Sequence, residues 1–432
     1  RSTREKVSDI QETLKSDGDI ATVVTQPDSL CWLLNIRGAD VEHNPVVLAF
    51  AILPADGPVD VFLASERVPD AAMKALDGVA RFRPANAFEA ALRDLKSEAA
   101  TSGQAKVRVA PATTAYRIGQ RLGAKTLRHA PDPCVLPRAI KTPAEIAGAR
   151  AAHHRDGVAV CRFLAWLDRE IEAGTKLTEI ATAEKLEAFR AETGKLREIS
   201  FDTISGSGPN GAIVHYRVTE ATDRTFRRGE LYLVDSGAQY PDGTTDITRT
   251  VAVGRPPKSA RLHTTLVLKG HIAIATARFP KGTRGVDLDP FARRALWDHG
   301  LDYAHGTGHG VGSYLSVHEG PQGISRRTMT VLEAGMIVSN EPGYYKTDAY
   351  GIRLENLVLV EEAETPKDGD IAMHTFETLT LAPFDRRLID VGQLTDTELA
   401  WLNAYHARVF KEIGPELESG DRAWLKAACA KL

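Results

Sequence analysis

The stretch LYLVDSGAQYPDGTTDITRTVAV, from Leu231 to Val253, decides how this chain is read. Leu231 to Asp235 forms an apolar strand and Thr244 to Val253 another. Tyr240-Pro241-Asp242-Gly243 between them is a turn sequence, with Pro and Gly in favoured positions. Folding the hairpin about that turn sets Asp235 opposite Thr248. Asp246 then becomes the diagonal neighbour of Asp235 on the same face, about 7–8 Å away. Two anions converging beside an apolar strand favour a cation between them, whereas a shift of register or intervening solvent would keep them apart.

Three further segments downstream offer donors of the same kind. The glycines of His305-Gly-Thr-Gly-His309-Gly-Val-Gly312 fit no dinucleotide-loop register, but on both sides of His309 they let the backbone approach a metal or substrate closely. Glu341 ends the apolar run from Met336, and Pro342-Gly343 then breaks the strand. From Gly351 to Val358 a period of two puts Arg353 and Glu355 on one face, with Ile352, Leu354 and Val358 on the other; that pattern also suits a structural ion pair. Taken singly, each donor has an ordinary explanation. Together, Asp235, Asp246, His309, Glu341 and Glu355 form the ligand set of a two-cation hydrolytic site, in which ions about 3.5–4 Å apart clamp a water and a carbonyl.

At 432 residues the chain holds two or three domains. A helix over 5–17 is followed by strands at Thr22–Thr25, Cys31–Ile36, Val46–Leu53, Val59–Leu63 and Lys106–Ala110. Helices at Pro69–Leu76 and Ala87–Ala99 alternate with them, which indicates a compact α/β domain ending near residue 138. Thr142-Pro143-Ala144-Glu145 is a helix start, with Thr142 as N-cap, and opens a long helix to about residue 172. A second helix follows over Thr178–Thr193. Beyond 199 comes an α+β region with a central sheet and helices near Ser259–Ala277 and Asp287–His299. Asp396 to Leu432 is helical, and its Trp401, Leu402, Tyr405 and Val409 stripe reads as docking surface, for this chain or a second subunit.

A net charge of −3 gives no electrostatic reason to expect nucleic acid or an anionic membrane as partner. The four cysteines are widely spaced, with no Cys-x-x-Cys pair, so neither a disulfide framework nor a thiolate metal site is indicated. No stretch reaches the ~18–20 apolar residues of a membrane span, and the first twenty residues do not form a signal peptide. The compartment expected is the cytoplasm. The chain opens on Arg1 rather than Met, as a processed or partial product would.

Seven segments carry a family resemblance: Ile213 to Tyr216, Asp235-Ser236-Gly237, Thr245 to Thr250, His305 to Gly312, Val317 to Pro321, Asn340 to Tyr345, and Gly351 to Asn356. In them the chain resembles the pita-bread metallopeptidases, most closely the Xaa-Pro aminopeptidase (aminopeptidase P) family of the long, multidomain type. Asp28-Ser29 and Trp32 to Gly38 look like that type's middle domain, Leu388-Ile389-Asp390 and Trp401-Leu402-Asn403 like its C-terminal extension. The chain starts where the second domain of the long enzymes would.

The resemblance implies a creatinase N-terminal-like α/β domain over 1–138, an α+β pita-bread (creatinase/aminopeptidase-like) catalytic domain over 139–380, and a helical C-terminal extension over 381–432. It implies that Asp235 chelates one ion, Asp246 and Glu355 bridge both, and His309 and Glu341 hold the second. Manganese is the family's usual ion; oxygen donors with one imidazole also suit Co²⁺ or Fe²⁺ and do not exclude Zn²⁺. The implied activity is hydrolysis of an N-terminal Xaa-Pro bond by a water bridging the two cations, with Glu341, His215 and His318 catalytic. His215, His305, His318 and Arg353 would contact the substrate, a peptide with proline second, and the enzyme would be a homodimer. The alternatives are a prolidase or another aminopeptidase of the same fold, or a non-catalytic pita-bread module that binds peptides.

Overall fold

The computed structural model describes residues 1–101, 103 and 105–432, which divide into two units, Arg1–Arg138 and Ala139–Leu432. In the first, α1 (Thr3–Asp17) starts from a Ser2/Glu5 capping box and precedes β1 (Asp19–Val24) and α2 (Pro27–Leu34). There follow β2 (Phe50–Pro54), β3 (Val59–Phe62), α3 (Asp70–Ala75), β4 (Ala80–Arg83), α4 (Phe88–Thr101), β5 (Lys106–Val109), α5 (Tyr116–Leu122) and β6 (Leu127–His129). The six strands form one mixed sheet in the order β4-β3-β2-β1-β5-β6. Leu92 and Leu95 of α4 and Ile118 and Leu122 of α5 bury their faces with Ala21, Val23, Val107 and Val109.

Two of the expected strands differ. Cys31–Ile36 is not a strand, because Pro27 opens α2 and Leu30, Cys31, Leu33 and Leu34 are all buried within it. An apolar run without periodicity fits a buried helix as well as a strand, and Asn35 stops this one in the left-handed conformation (φ 54°). The run from Val46 becomes a strand only at Phe50.

Short helix α6 (Val135–Ala139) leads to α7 (Pro143–Ala173), where Thr142 Oγ1 accepts from the Glu145 N–H at 3.3 Å and Glu145 Oε2 from the Thr142 N–H at 2.9 Å. After α8 (Glu179–Ala191) come β7 (Glu198–Ile199), β8 (Ile204–Ser207), β9 (Leu231–Ser236), β10 (Ala238–Tyr240), β11 (Gly243–Thr244) and β12 (Ile247–Ala252). Helices α9 (Lys258–Ala275) and α10 (Gly285–Trp297) flank β13 (Phe279–Pro280). The remaining strands are β14 (Gly308–Gly310), β15 (Glu319–Ile324), β16 (Ile337–Asn340), β17 (Gly343–Lys346), β18 (Tyr350–Arg353), β19 (Asn356–Ala363) and β20 (Met373–Thr378). Helices α11 (Asp396–Ile413) and α12 (Ser419–Ala428) close the chain.

These strands form four sheets rather than the single central sheet expected: β12-β9-β8, β11-β10-β7, β13-β20-β19-β16-β14-β15 and β17-β18. At Gly237 the chain packs so closely that a Cβ would stand 2.0 Å from the Thr245 carbonyl oxygen and 2.1 Å from Ser200 Oγ. There the expected hairpin divides into two ladders without a change of register, and Asp235 lies opposite Thr248. Likewise, 351–358 is not one strand, since β18 ends at Arg353 and Glu355 lies between the strands.

The stripe on α11 is covered by this chain. Leu402, Tyr405 and Val409 are buried in the main core of the second unit, and Trp401 stacks on Tyr405 with ring centroids 5.4 Å apart. Among the described residues no helix is long and apolar enough to cross a membrane.

Gly237→Ala places a methyl group against the Thr245 carbonyl. The expected cost is about 1–3 kcal/mol of overpacking, measured as a lowered urea-unfolding midpoint. A midpoint equal to that of the wild type would contradict the close approach.

Candidate active site

Asp235, Asp246, His309, Glu341 and Glu355 all line one cavity of about 320 Å³, together with His215, His305, His318 and Arg353. The nine residues singled out from the sequence therefore share one space. β9 carries Asp235 and the segment entering β12 carries Asp246. His309 sits in β14, Glu341 just past the end of β16, and Glu355 between β18 and β19.

Donor atoms of Asp246, His309 and Glu355 lie within 4.8 Å of one another. His309 Nε2 stands 3.4 Å from Asp246 Oδ2 and 3.5 Å from Glu341 Oε1. The His309 Nδ1–H donates to the Gly310 carbonyl at 2.8 Å, since a carbonyl only accepts, and this turns Nε2 to the carboxylates, where the neutral ring offers a cation its lone pair. Ser339 couples two of these residues, since its Oγ accepts from the His309 N–H at 2.9 Å and donates to Glu341 Oε1 at 3.0 Å. Asp235 is held differently, with Oδ2 accepting from Arg353 Nη2 at 2.5 Å.

Arg353 organises the other wall. Its Nε donates to Thr248 Oγ1 at 3.1 Å, and that hydroxyl donates on to Glu355 Oε2 at 2.6 Å. Arg353 and Glu355 are thus joined through Thr248, and the expected direct ion pair is made with Asp235 instead. Arg353 Nη1 donates to Tyr345 Oη at 2.6 Å, and Tyr345 donates to His305 Nε2 at 2.8 Å. The His305 Nδ1–H in turn faces the Gly306 carbonyl at 2.8 Å, which closes the proton order along the wall. Burial pushes the Tyr345 phenol up to about 12, against the Arg353 cation, so it stays a donor. Burial also lowers His305 to about 3 and His318 to about 4, helped by Arg353 and by His309 respectively. His318 packs edge-on to His309, with ring centroids 4.2 Å apart.

Without a cation, three of the carboxyls hold their protons tightly, and a bound cation would displace them. Burial first, then the neighbouring carboxylates, raises Asp246 and Glu355 well above the ordinary range; burial likewise raises Glu341, against His309 and Arg353. Oδ1 of Asp235 and Oδ1 of Asp246 are buried without a hydrogen-bond partner. Buried acceptors left unpaired are costly, and these two open on a cavity rich in oxygen donors. Hard oxygens with one imidazole suit divalent transition ions. The residues fit a pair of such cations.

Sequence reasoning overlooked three contributors. The hairpin register puts Thr248 opposite Asp235, but its link between Arg353 and Glu355 depends on a break in the strand that alternation does not reveal. Ser339, in β16, lies two residues before Glu341, a spacing that a period of two could flag. Tyr345 closes the Asn340–Tyr345 segment, but its hydrogen bonds depend on the β17–β18 pairing of Gly343 with Arg353.

A cage of four carboxylates and an imidazole at the meeting of these sheets is that of a metal-dependent hydrolase. The model of metallopeptidase family M24 matches residues 147–362, the creatinase/prolidase N-terminal domain 1–145, and the C-terminal region of the M24 peptidases 372–432. A probable Xaa-Pro aminopeptidase P of Laccaria bicolor is 43% identical, over 99% of this chain and 67% of its own length. Aminopeptidase P1 of Arabidopsis thaliana is 40% identical, over 99% and 73%. The crystal structure of X-prolyl aminopeptidase from Caenorhabditis elegans, described as a cytosolic enzyme with a di-nuclear active site, superposes with a TM-score of 0.96 at 38% identity, covering 100% of this chain and 71% of that one. The chain belongs to metallopeptidase family M24, within its Xaa-Pro aminopeptidase group, and is a metallo-aminopeptidase.

A carboxyl whose folded pKa is raised binds its proton more tightly folded than unfolded. It costs nothing below its ordinary value, 3.8 for Asp246 and 4.5 for Glu355, and its cost grows as pH climbs through the raised value. Chelator-treated protein should therefore gain more in melting temperature than an Asp246→Asn variant when pH is lowered from about 8 to about 6. Added Mn²⁺ should raise the melting temperature more at the higher pH, because protons compete for the same oxygens. Equal gains in the two proteins would contradict the raised carboxyls.

Proposed function

We propose that this chain removes the first residue of peptides with proline at the second position, using two divalent cations. Asp235 would hold one, Asp246 and Glu355 would bridge both, and His309 and Glu341 would hold the second. The supporting observation is the convergence of all five donors on the cavity that also holds His215, His305, His318 and Arg353. When bound, the cation pair supplies a solvent nucleophile of lowered pKa and polarises the scissile carbonyl.

The protein's own groups do the rest. Glu341, beside the place of the attacking water, takes its proton and passes it to the leaving prolyl nitrogen. His318, kept neutral by burial, and His215 flank the scissile group and donate to the developing oxyanion. His305, held by Tyr345, and Arg353, held against Asp235, form a fixed wall that orients the peptide. The nitrogen of an Xaa-Pro bond bears no hydrogen, so selection rests on shape and on polarisation of the carbonyl. Phe201, Ile204 and Val214 supply the apolar part of the cavity lining.

Manganese is the ion we propose, on the family resemblance. A homodimer rests on the same ground, because α11 buries its stripe within this chain; the cytoplasm is proposed on the widely spaced cysteines and on the cytosolic description of the Caenorhabditis elegans neighbour. Light scattering should give twice the chain mass, and a monomer mass would refute the dimer.

The test of function is Mn²⁺-dependent release of the first residue from Arg-Pro-Pro by metal-stripped protein, compared with Gly-Pro and a peptide lacking proline. Release from the tripeptide should dominate, and Glu341→Ala should lose about 10²–10⁴-fold or more in kcat. Preference for the dipeptide would make the chain a prolidase. Near-normal turnover by Glu341→Ala would remove its assigned role.

A further inference from the structure

Arg249 occupies the face of β12 opposite Thr248 and is only 1% exposed. Its guanidinium reaches six acceptors, every one of them uncharged. Nε donates to the Pro383 carbonyl at 3.1 Å, and Nη1 to the carbonyls of Thr248 at 2.9 Å and Glu355 at 2.6 Å. Nη2 donates to Asn356 Oδ1 at 2.8 Å, the Ala382 carbonyl at 2.7 Å and Tyr405 Oη at 3.1 Å. The ring of Phe384 lies beneath it, 4.3 Å from the guanidinium carbon. Burying a cation among neutral partners is expensive, and an apolar side chain would fill such a space at less cost. Packing alone therefore does not account for this arginine.

The acceptors come from three places: the strand that follows Asp246, the Glu355–Asn356 step, and the C-terminal region. Glu355 is gripped on three polar groups, all by the Thr248–Arg249 pair. Its carbonyl accepts from Arg249, its N–H donates to the Thr248 carbonyl at 3.1 Å, and its Oε2 accepts from Thr248 Oγ1 at 2.6 Å. On the far side the Tyr405 hydroxyl, from α11, lies 2.9 Å from the Ala382 carbonyl and 3.0 Å from that of Thr380. One residue thus joins the C-terminal helix to the main chain of a candidate metal ligand. We infer that Arg249 and Tyr405 are positioning residues through which helix α11 sets the reach of Glu355 into the cation site. The inference rests on the two-cation reading above and extends it to the C-terminal region.

The test is calorimetric titration of metal-stripped full-length protein with Mn²⁺. The wild type should bind two ions per chain. Tyr405→Phe, which keeps the ring stacked on Trp401, should bind at least one of them about tenfold more weakly. Arg249→Lys should do the same, and in both variants the peptide KM at saturating Mn²⁺ should be unchanged. Arg386→Ala is the control: its guanidinium donates to the Ala427 and Lys431 carbonyls at 3.1 and 2.9 Å in the same C-terminal region, and its Mn²⁺ binding should match the wild type. Should Arg249→Lys not fold, Tyr405→Phe decides alone. Wild-type Mn²⁺ binding by Tyr405→Phe, or equal weakening by Arg386→Ala, overturns this inference and leaves the two-cation reading intact. A wild type that binds no Mn²⁺ overturns both.

Discussion

Asp235, Asp246, Glu341 and Glu355 bring four carboxylates into one cavity, where Arg353 is the lone Lys or Arg among the lining residues described. Mutual repulsion and loss of water both oppose ionisation there, which is why Asp246, Glu341 and Glu355 bind their protons so tightly. Folding tolerates such a cluster only if the backbone holds it in place and something positive compensates it. The ladders supply the first condition: Asp235 is fixed opposite Thr248, and Asn340, next to Glu341, opposite Asn356, next to Glu355. Divalent cations would supply the second.

Three groups around the cage, His305, His318 and Tyr345, are kept uncharged. His305 and His318, lowered to about 3 and 4, remain neutral at physiological pH, and Tyr345, raised to about 12, keeps its proton. A neutral imidazole can donate to an oxyanion without repelling a neighbouring cation, and a protonated phenol can hold a ring nitrogen in one tautomer. Arg353 is the exception, and its charge is neutralised by Asp235. One wall of the cavity is therefore rigid and neutral, the other anionic, an arrangement suited to electrostatic preorganisation.

Much of this was legible in the sequence, for identifiable reasons. A turn with Pro and Gly in favoured positions fixes a register, and so Asp235, Thr248 and Asp246 could be placed before any coordinates. The Thr142-Pro143-Glu145 capping box announced α7 because its hydrogen bonds are local. What escaped reading depends on distant partners. Nothing in the Leu30–Leu34 run chooses helix over strand, and the choice falls to Pro27 and the surrounding core. The kink at Leu354–Glu355 turns the carboxylate toward Thr248, and no two-residue period encodes that. Nothing local singles out Arg249, because five of its six acceptors lie more than a hundred residues downstream.

Crystals grown with Mn²⁺ and measured for anomalous scattering would test the paired-cation account most directly. Two peaks about 3.5–4 Å apart, flanked by Asp246 and Glu355, with Asp235 on one side and His309 and Glu341 on the other, are the predicted result. A cavity with no peak, or a single peak out of reach of Asp246 and Glu355, would contradict it.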